Sequence, residues 1–86
     1  MNYPLDEESF SPEEELAMDL GMLREDLVDE LQAINQYQEH IESLENEEAV
    51  TTLGHIIEEE KEHVAELVKL IQSLDLVQAE KFKRIL

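Results

Sequence analysis

The stretch from Asn46 to Leu74, NEEAVTTLGHIIEEEKEHVAELVKLIQSL, decides the fold. Val50, Leu53, Ile56/Ile57, Val64, Leu67, Leu70/Ile71 and Leu74 follow the three- and four-residue spacing of one helix face. Asn46 is suited to cap this helix. Glu47 and Glu48 fall in its first turn, where acids favour the positive end of the helix dipole. Ile56 beside Ile57 and Leu70 beside Ile71 give the stripe a second flank, which points to more than one packing partner.

N-terminal to this stretch, Ser11-Pro12-Glu13-Glu14 predicts another helix start. Ser caps, Pro suits the first helical position, and Glu14 completes the spacing of a capping box. Leu16, Leu20, Leu23, Leu27, Leu31, Ile34, Ile41 and Leu44 then form one apolar stripe that breaks near Ser43-Leu44-Glu45-Asn46. Gly21 is a weak point at which this helix could divide. C-terminal to the deciding stretch, Asp75 and Gln78 have capping-box spacing. Phe82, Ile85 and Leu86 are expected to form a small apolar patch, and Lys81, Lys83 and Arg84 make this last segment basic. The expected organisation is an N-terminal arm over 1–10 and a helical hairpin over 11–86 that ends in a short helix at about 76–86. Two long amphipathic helices cannot bury both stripes against each other alone. An all-α antiparallel hairpin that dimerises into a four-helix bundle is therefore expected.

Composition narrows the function. The chain has 86 residues, enough for one small domain, and 23 Asp and Glu against 6 Lys and Arg, a net charge of −17. Such a surface repels nucleic acid and anionic lipid and attracts cations. Zero Cys excludes disulfides, thiolate metal sites and cysteine nucleophiles. At 42% apolar residues the chain is too hydrophobic for a disordered acidic tail. No apolar run reaches the ~20 residues of a membrane span. MNYPLDEESF has neither the basic nor the apolar part of a signal peptide, so a cytoplasmic location is expected.

Three polar residues interrupt the apolar faces. Glu60 continues the series of the deciding stretch, His63 lies one turn further on the same face, and Glu30 sits between Leu27, Leu31 and Ile34. Glu30 is 16 residues before Asn46 and Glu60 is 14 after it. At ~1.5 Å per residue both lie roughly 21–24 Å from the turn, facing each other across the hairpin. One Glu plus a Glu-x-x-His is half of the di-iron carboxylate arrangement of helical bundles. Two copies supply four carboxylates and two imidazoles, a set that suits iron or manganese. In a chain this acidic, Glu-x-x-His alone is a weak signal, and it is the Glu30 partner at matched height that sharpens it. The competing reading is a solvated helix edge. His40 and His55 read as surface residues. Tyr37, two turns after Glu30, reads first as a core aromatic, with a hydrogen bond to a ligand or electron donation as the functional alternative. Asp29 and Gln32 flank Glu30 and read first as a solvated face.

At Asp29-Glu30-Leu31-Gln32-Ala33-Ile34-Asn35-Gln36-Tyr37 and Glu58-Glu59-Glu60-Lys61-Glu62-His63 the chain resembles the encapsulated ferritins. These are half-length relatives of ferritin and rubrerythrin carried as cargo by encapsulin nanocompartments. The resemblance covers roughly residues 20–75 and rests on the 30-residue interval from Glu30 to Glu60 followed by His63. It implies a ferritin-like four-helix bundle built by a homodimer, and a decameric ring of such dimers in which a C-terminal helix takes part. It implies a ferroxidase whose di-iron centre lies between subunits, with Glu30, Glu60 and His63 as catalytic and metal-binding residues. Glu60 would bridge two irons, Tyr37 would lie just outside the ligands, and Asp29 and Gln32 would stand at a metal-access site. The encapsulin shell protein is the implied partner, and the interior of the nanocompartment the implied location. The chain departs from the family in carrying Gln36 where a Trp is usual and Gln32 where an acid is usual. Lys81 to Leu86 shows no Gly-Ser-Leu type of targeting signal. The rival functions are a non-enzymatic acidic interaction protein, a rubrerythrin-like peroxide reductase, and a structural manganese or calcium site.

Overall fold

A computed structural model describes residues 9–86. The expected arm lies outside the described residues up to position 8; Ser9 and Phe10 carry no regular structure, and Phe10 is exposed. Three helices follow: α1 (Pro12–Ser43), α2 (Glu47–Leu74) and α3 (Leu76–Ile85). No strand occurs among the described residues. α1 and α2 pack as an antiparallel hairpin, and α3 packs on α2.

The helix starts follow local chemistry. The Ser11 hydroxyl accepts from the Glu14 N–H at 3.1 Å, and the Ser11 N–H donates to Glu14 Oε1 at 2.9 Å. This reciprocal box holds the Glu14 carboxyl below its ordinary value, because both Ser11 groups favour its charged form. Asn46 Oδ1 accepts from the Ala49 N–H at 2.8 Å and starts α2. Asn46→Ala is expected to lower stability by ~1 kcal/mol, read as a drop in the denaturant midpoint at unchanged slope. Gly21 does not divide the first helix, contrary to the weakness expected there. One glycine costs only ~1 kcal/mol in a helix interior, and α1 runs unbroken for 32 residues.

Asp75 is the one residue between α2 and α3. Its Oδ1 accepts from the Gln78 N–H at 3.0 Å and caps α3, while its Oδ2 accepts from Arg24 Nη2 on α1 at 2.8 Å. The Asp75 N–H bonds back to the Ile71 carbonyl, so it closes α2. The Gln78 N–H and, after it, the Arg24 guanidinium hold the Asp75 carboxyl below its ordinary value against the opposing effect of burial.

The packing is thin. Leu20, Ile57 and Ile71 are the buried hydrophobics among the described residues, and none of them is completely enclosed. The chain exposes 7087 Å², whereas a compact monomer of 10 kDa exposes about 5,200 Å². Leu31, expected in the inward stripe, is 47% exposed, and Leu70 is 43% exposed. Both flank the seam that Leu20, Ile57 and Ile71 close. Phe82 lines a groove with Val68 and Gln72 of α2, while Ile85 and Leu86 stand 74% and 93% exposed.

Candidate metal centre

Glu30 comes from the middle of α1, and Glu60 and His63 from adjacent turns of α2. The hairpin brings all three together, at the level that equal distances from the turn require. His63 Nδ1 lies 3.3 Å from Glu30 Oε2 and 3.8 Å from Glu60 Oε1. One donor atom from each residue falls within 4.8 Å of the other two. Two donors bound to one small cation at ~2.1 Å each are at most ~4.2 Å apart, so a small side-chain adjustment would close the set around an ion. Two carboxylates and one imidazole, with no sulfur, fit Fe(II) or Mn(II) and leave positions open for other ligands. Glu30 and Glu60 are partly buried and His63 is half-exposed, so the cluster lies on an open face of the hairpin rather than inside it.

The electrostatics show what the cluster does without a cation. A hydrogen bond with Glu30 raises the Glu60 pKa; desolvation and the Glu30 charge add to it, and His63 opposes it. The His63 pKa is raised first by its hydrogen bond to Glu30, against desolvation, with the charges of Glu30, Glu60 and Glu66 adding. The folded triad therefore retains protons that an unfolded chain releases. The sign follows. This contribution to stability is complete below the ordinary value of each group, 4.5 for Glu60 and 6.5 for His63, and is lost as pH rises through the raised values. The metal-free melting temperature is expected to fall on the alkaline side of 6.5, and His63→Asn is expected to flatten that part of the profile. A bound cation displaces these protons, so its apparent affinity is expected to rise over the same range.

An open groove of about 420 Å³ runs from the triad, lined by Asp26, Asp29, Glu30, His63, Glu66, Leu67 and Leu70. Asp29 is exposed and lines this groove together with Glu30 and His63. Gln32 is exposed and does not line the groove, and Tyr37 is half-buried on α1 without doing so either. His40 and His55 are exposed. Sequence reading missed Asp26 and Glu66. The available signal was helical spacing: Asp26 is one turn before Glu30, and Glu66 is one turn after His63.

Fold and site together define an acidic helical hairpin that carries a two-carboxylate, one-imidazole cluster on an open face. The chain is similar to two curated proteins of Myxococcus xanthus (strain DK1622). With the encapsulin nanocompartment cargo protein EncC it is 48% identical over 50 residues, which are 58% of this chain and 38% of that protein. With the encapsulin nanocompartment cargo protein EncB it is 35% identical over 66 residues, which are 77% of this chain and 42% of that protein. The chain thus spans about two-fifths of the length of the curated relatives it matches. No family model matches the chain, and no solved structure matches it significantly. No helix among the described residues is long and apolar enough to cross a membrane.

Proposed function

We propose that this chain is a ferroxidase that oxidises Fe(II) to Fe(III) between two copies of its hairpin, inside an encapsulin compartment. The observation that carries the reading is the convergence of Glu30, Glu60 and His63, donor atoms within 4.8 Å, on an open face of the hairpin. The similarity to two encapsulin cargo proteins supports the compartment and the shell partner. The thin core supports the second copy, because a hairpin with three buried side chains among the described residues has apolar flanks left to cover.

Iron is the substrate. Two protomers facing each other across this surface double the donor set to four carboxylates and two imidazoles. The carboxylates supply the negative charge that Fe(II) needs and that Fe(III) needs more, so oxidation is favoured at the site. Two Fe(II) each give up one electron to one dioxygen, which takes two protons from solvent and leaves as hydrogen peroxide. Glu30 and Glu60 hold the ions, and His63 contributes a neutral donor. The acidic groove with Asp26, Asp29 and Glu66 concentrates cations beside the triad, an effect that weakens with salt. The groove beside the triad is open, so the ferric product can leave it for the compartment.

The test is anaerobic Fe(II) loading followed by air, with ferric absorbance and molecular mass recorded together. Fast oxidation at about one iron per chain, accompanied by a mass of two chains or more, is the expected result. Oxidation no faster than in buffer would move the assignment to an acidic interaction protein. Turnover of peroxide with an external electron donor, without net ferric product, would move it to a peroxide reductase.

A further inference from the structure

We propose that the Arg24–Asp75 bond is a latch that sets the angle of α3 against the hairpin, and that α3 is a hinged arm that swings about residue 75 when the latch opens. α3 joins α2 through this one residue, whose backbone torsions, φ −112° and ψ 97°, belong to neither helix. The backbone of α3 lies close to α2 and further from α1. The tie to α1 is the 2.8 Å ion pair, across a sequence separation of 51 residues. Beneath α3 lies a void of about 100 Å³ lined by Arg24, Leu27, Val68, Ile71, Gln78 and Phe82, so packing alone does not close this end. Leu76, Val77, Ile85 and Leu86 are 68% exposed or more, which leaves little apolar contact to hold the arm down.

The two Asp75 oxygens separate the two roles. One caps α3 and keeps it helical, and the other is free to take Arg24. The Arg24 side chain is 53% exposed, so salt reaches the pair. Exposed pairs of this kind shift a two-state equilibrium about two- to fivefold. The open arm is therefore a population that ionic strength tunes, and with it the apolar surface that α3 displays.

The chain has no cysteine, so spin labels can be placed cleanly at Asp19→Cys on α1 and Lys81→Cys on α3. Labelled chain is diluted into unlabelled chain, and the distance distribution is read by pulsed electron resonance. At low salt the parent is expected to show one dominant short distance with a minor longer component. Arg24→Ala and Asp75→Asn are each expected to raise the longer component about two- to fivefold over the parent, and 1 M salt to do the same to the parent. Asn caps as well as Asp, so helicity by circular dichroism is expected to hold in Asp75→Asn. Unchanged distances in both variants overturn the latch and leave Phe82 packing as what holds α3. Lengthening confined to Asp75→Ala, with lost helicity, overturns it in favour of capping alone.

Discussion

Glu60→Ala is expected to reduce Fe(II) oxidation to the rate in buffer and to weaken binding of a redox-inert divalent cation by more than the ~100-fold that changes just outside a metal's ligands can reach. The size follows from position. Glu60 lies on the same face as His63 and shares a hydrogen bond with Glu30, so its loss removes one of the three donors. Two remaining donors at an open face hold a cation poorly. The same variant is expected to be at least as stable as the parent without metal. Ala is the best helix former, and removing Glu60 removes a carboxylate that Glu30 repels. Activity and stability therefore move in opposite directions, which separates loss of a ligand from misfolding. His63→Ala and Glu30→Ala are expected to abolish oxidation likewise, while Asn replacing Asp29 slows cation uptake without abolishing it. Calorimetry with Co(II), stopped-flow absorbance after air, and metal-free melts check the three parts. Parent-like oxidation in Glu60→Ala would sink the assignment.

The triad was legible because helical geometry is rigid. A fixed rise per residue turns sequence distance from a turn into height, and Asn46 marked the turn chemically. Glu30 and Glu60 then had to meet, and His63 had to lie beside Glu60 one turn on. The helix starts were legible for the same kind of reason: Ser11, Asn46 and Asp75 each accept a hydrogen bond from an N–H three residues later. Leu31 marks where sequence reading stops. Glu30 and Leu31 are neighbours about 100° apart on the helix, and a stripe drawn by three- and four-residue steps admits both. Only the position of α2 shows that Glu30 faces the seam and Leu31 does not. Arg24 and Asp75 are further beyond reach, because no local pattern links residues on different helices at the far end of a hairpin. The second copy is unreadable from one chain in any direct sense. It enters as unspent apolar surface: Leu31, Leu70 and Val28 are too exposed for a chain with so few aromatics and so small a core.

That surface carries the second large effect, which is association driven by the substrate cation. A ligand present at 100 times its Kd, bound by the associated form and not by separate chains, adds about 2.7 kcal/mol per site. The dissociation constant of a dimer is thus expected to fall about 100-fold for one such ion and about 10⁴-fold for two independent ions. Charge sets the direction of the salt dependence. Each copy carries a net charge of −17, so metal-free chains repel each other and added salt is expected to tighten their association. With cation bound the repulsion at the shared face is neutralised, and salt is expected to matter less. Leu70→Glu isolates the face itself. Leu70 is already 43% exposed in the single hairpin and lines the groove beside His63, so the change costs the protomer little. In a two-fold dimer the residue is replaced twice. With 43% of each leucine left to bury, and ~1.5–3 kcal/mol for a whole leucine, the loss is ~1.3–2.6 kcal/mol of association, enough to cancel about the gain from one ion, and the two added carboxylates repel each other besides. Sedimentation of parent, Glu60→Ala and Leu70→Glu, with and without anaerobic Fe(II), reads all of this in one series. The parent gains mass with Fe(II), Glu60→Ala does not respond to it, and Leu70→Glu gains less mass than the parent at every Fe(II) level. Identical mass distributions of the parent with and without Fe(II) would show that the triad does not span two copies, and the site would then belong to a single hairpin.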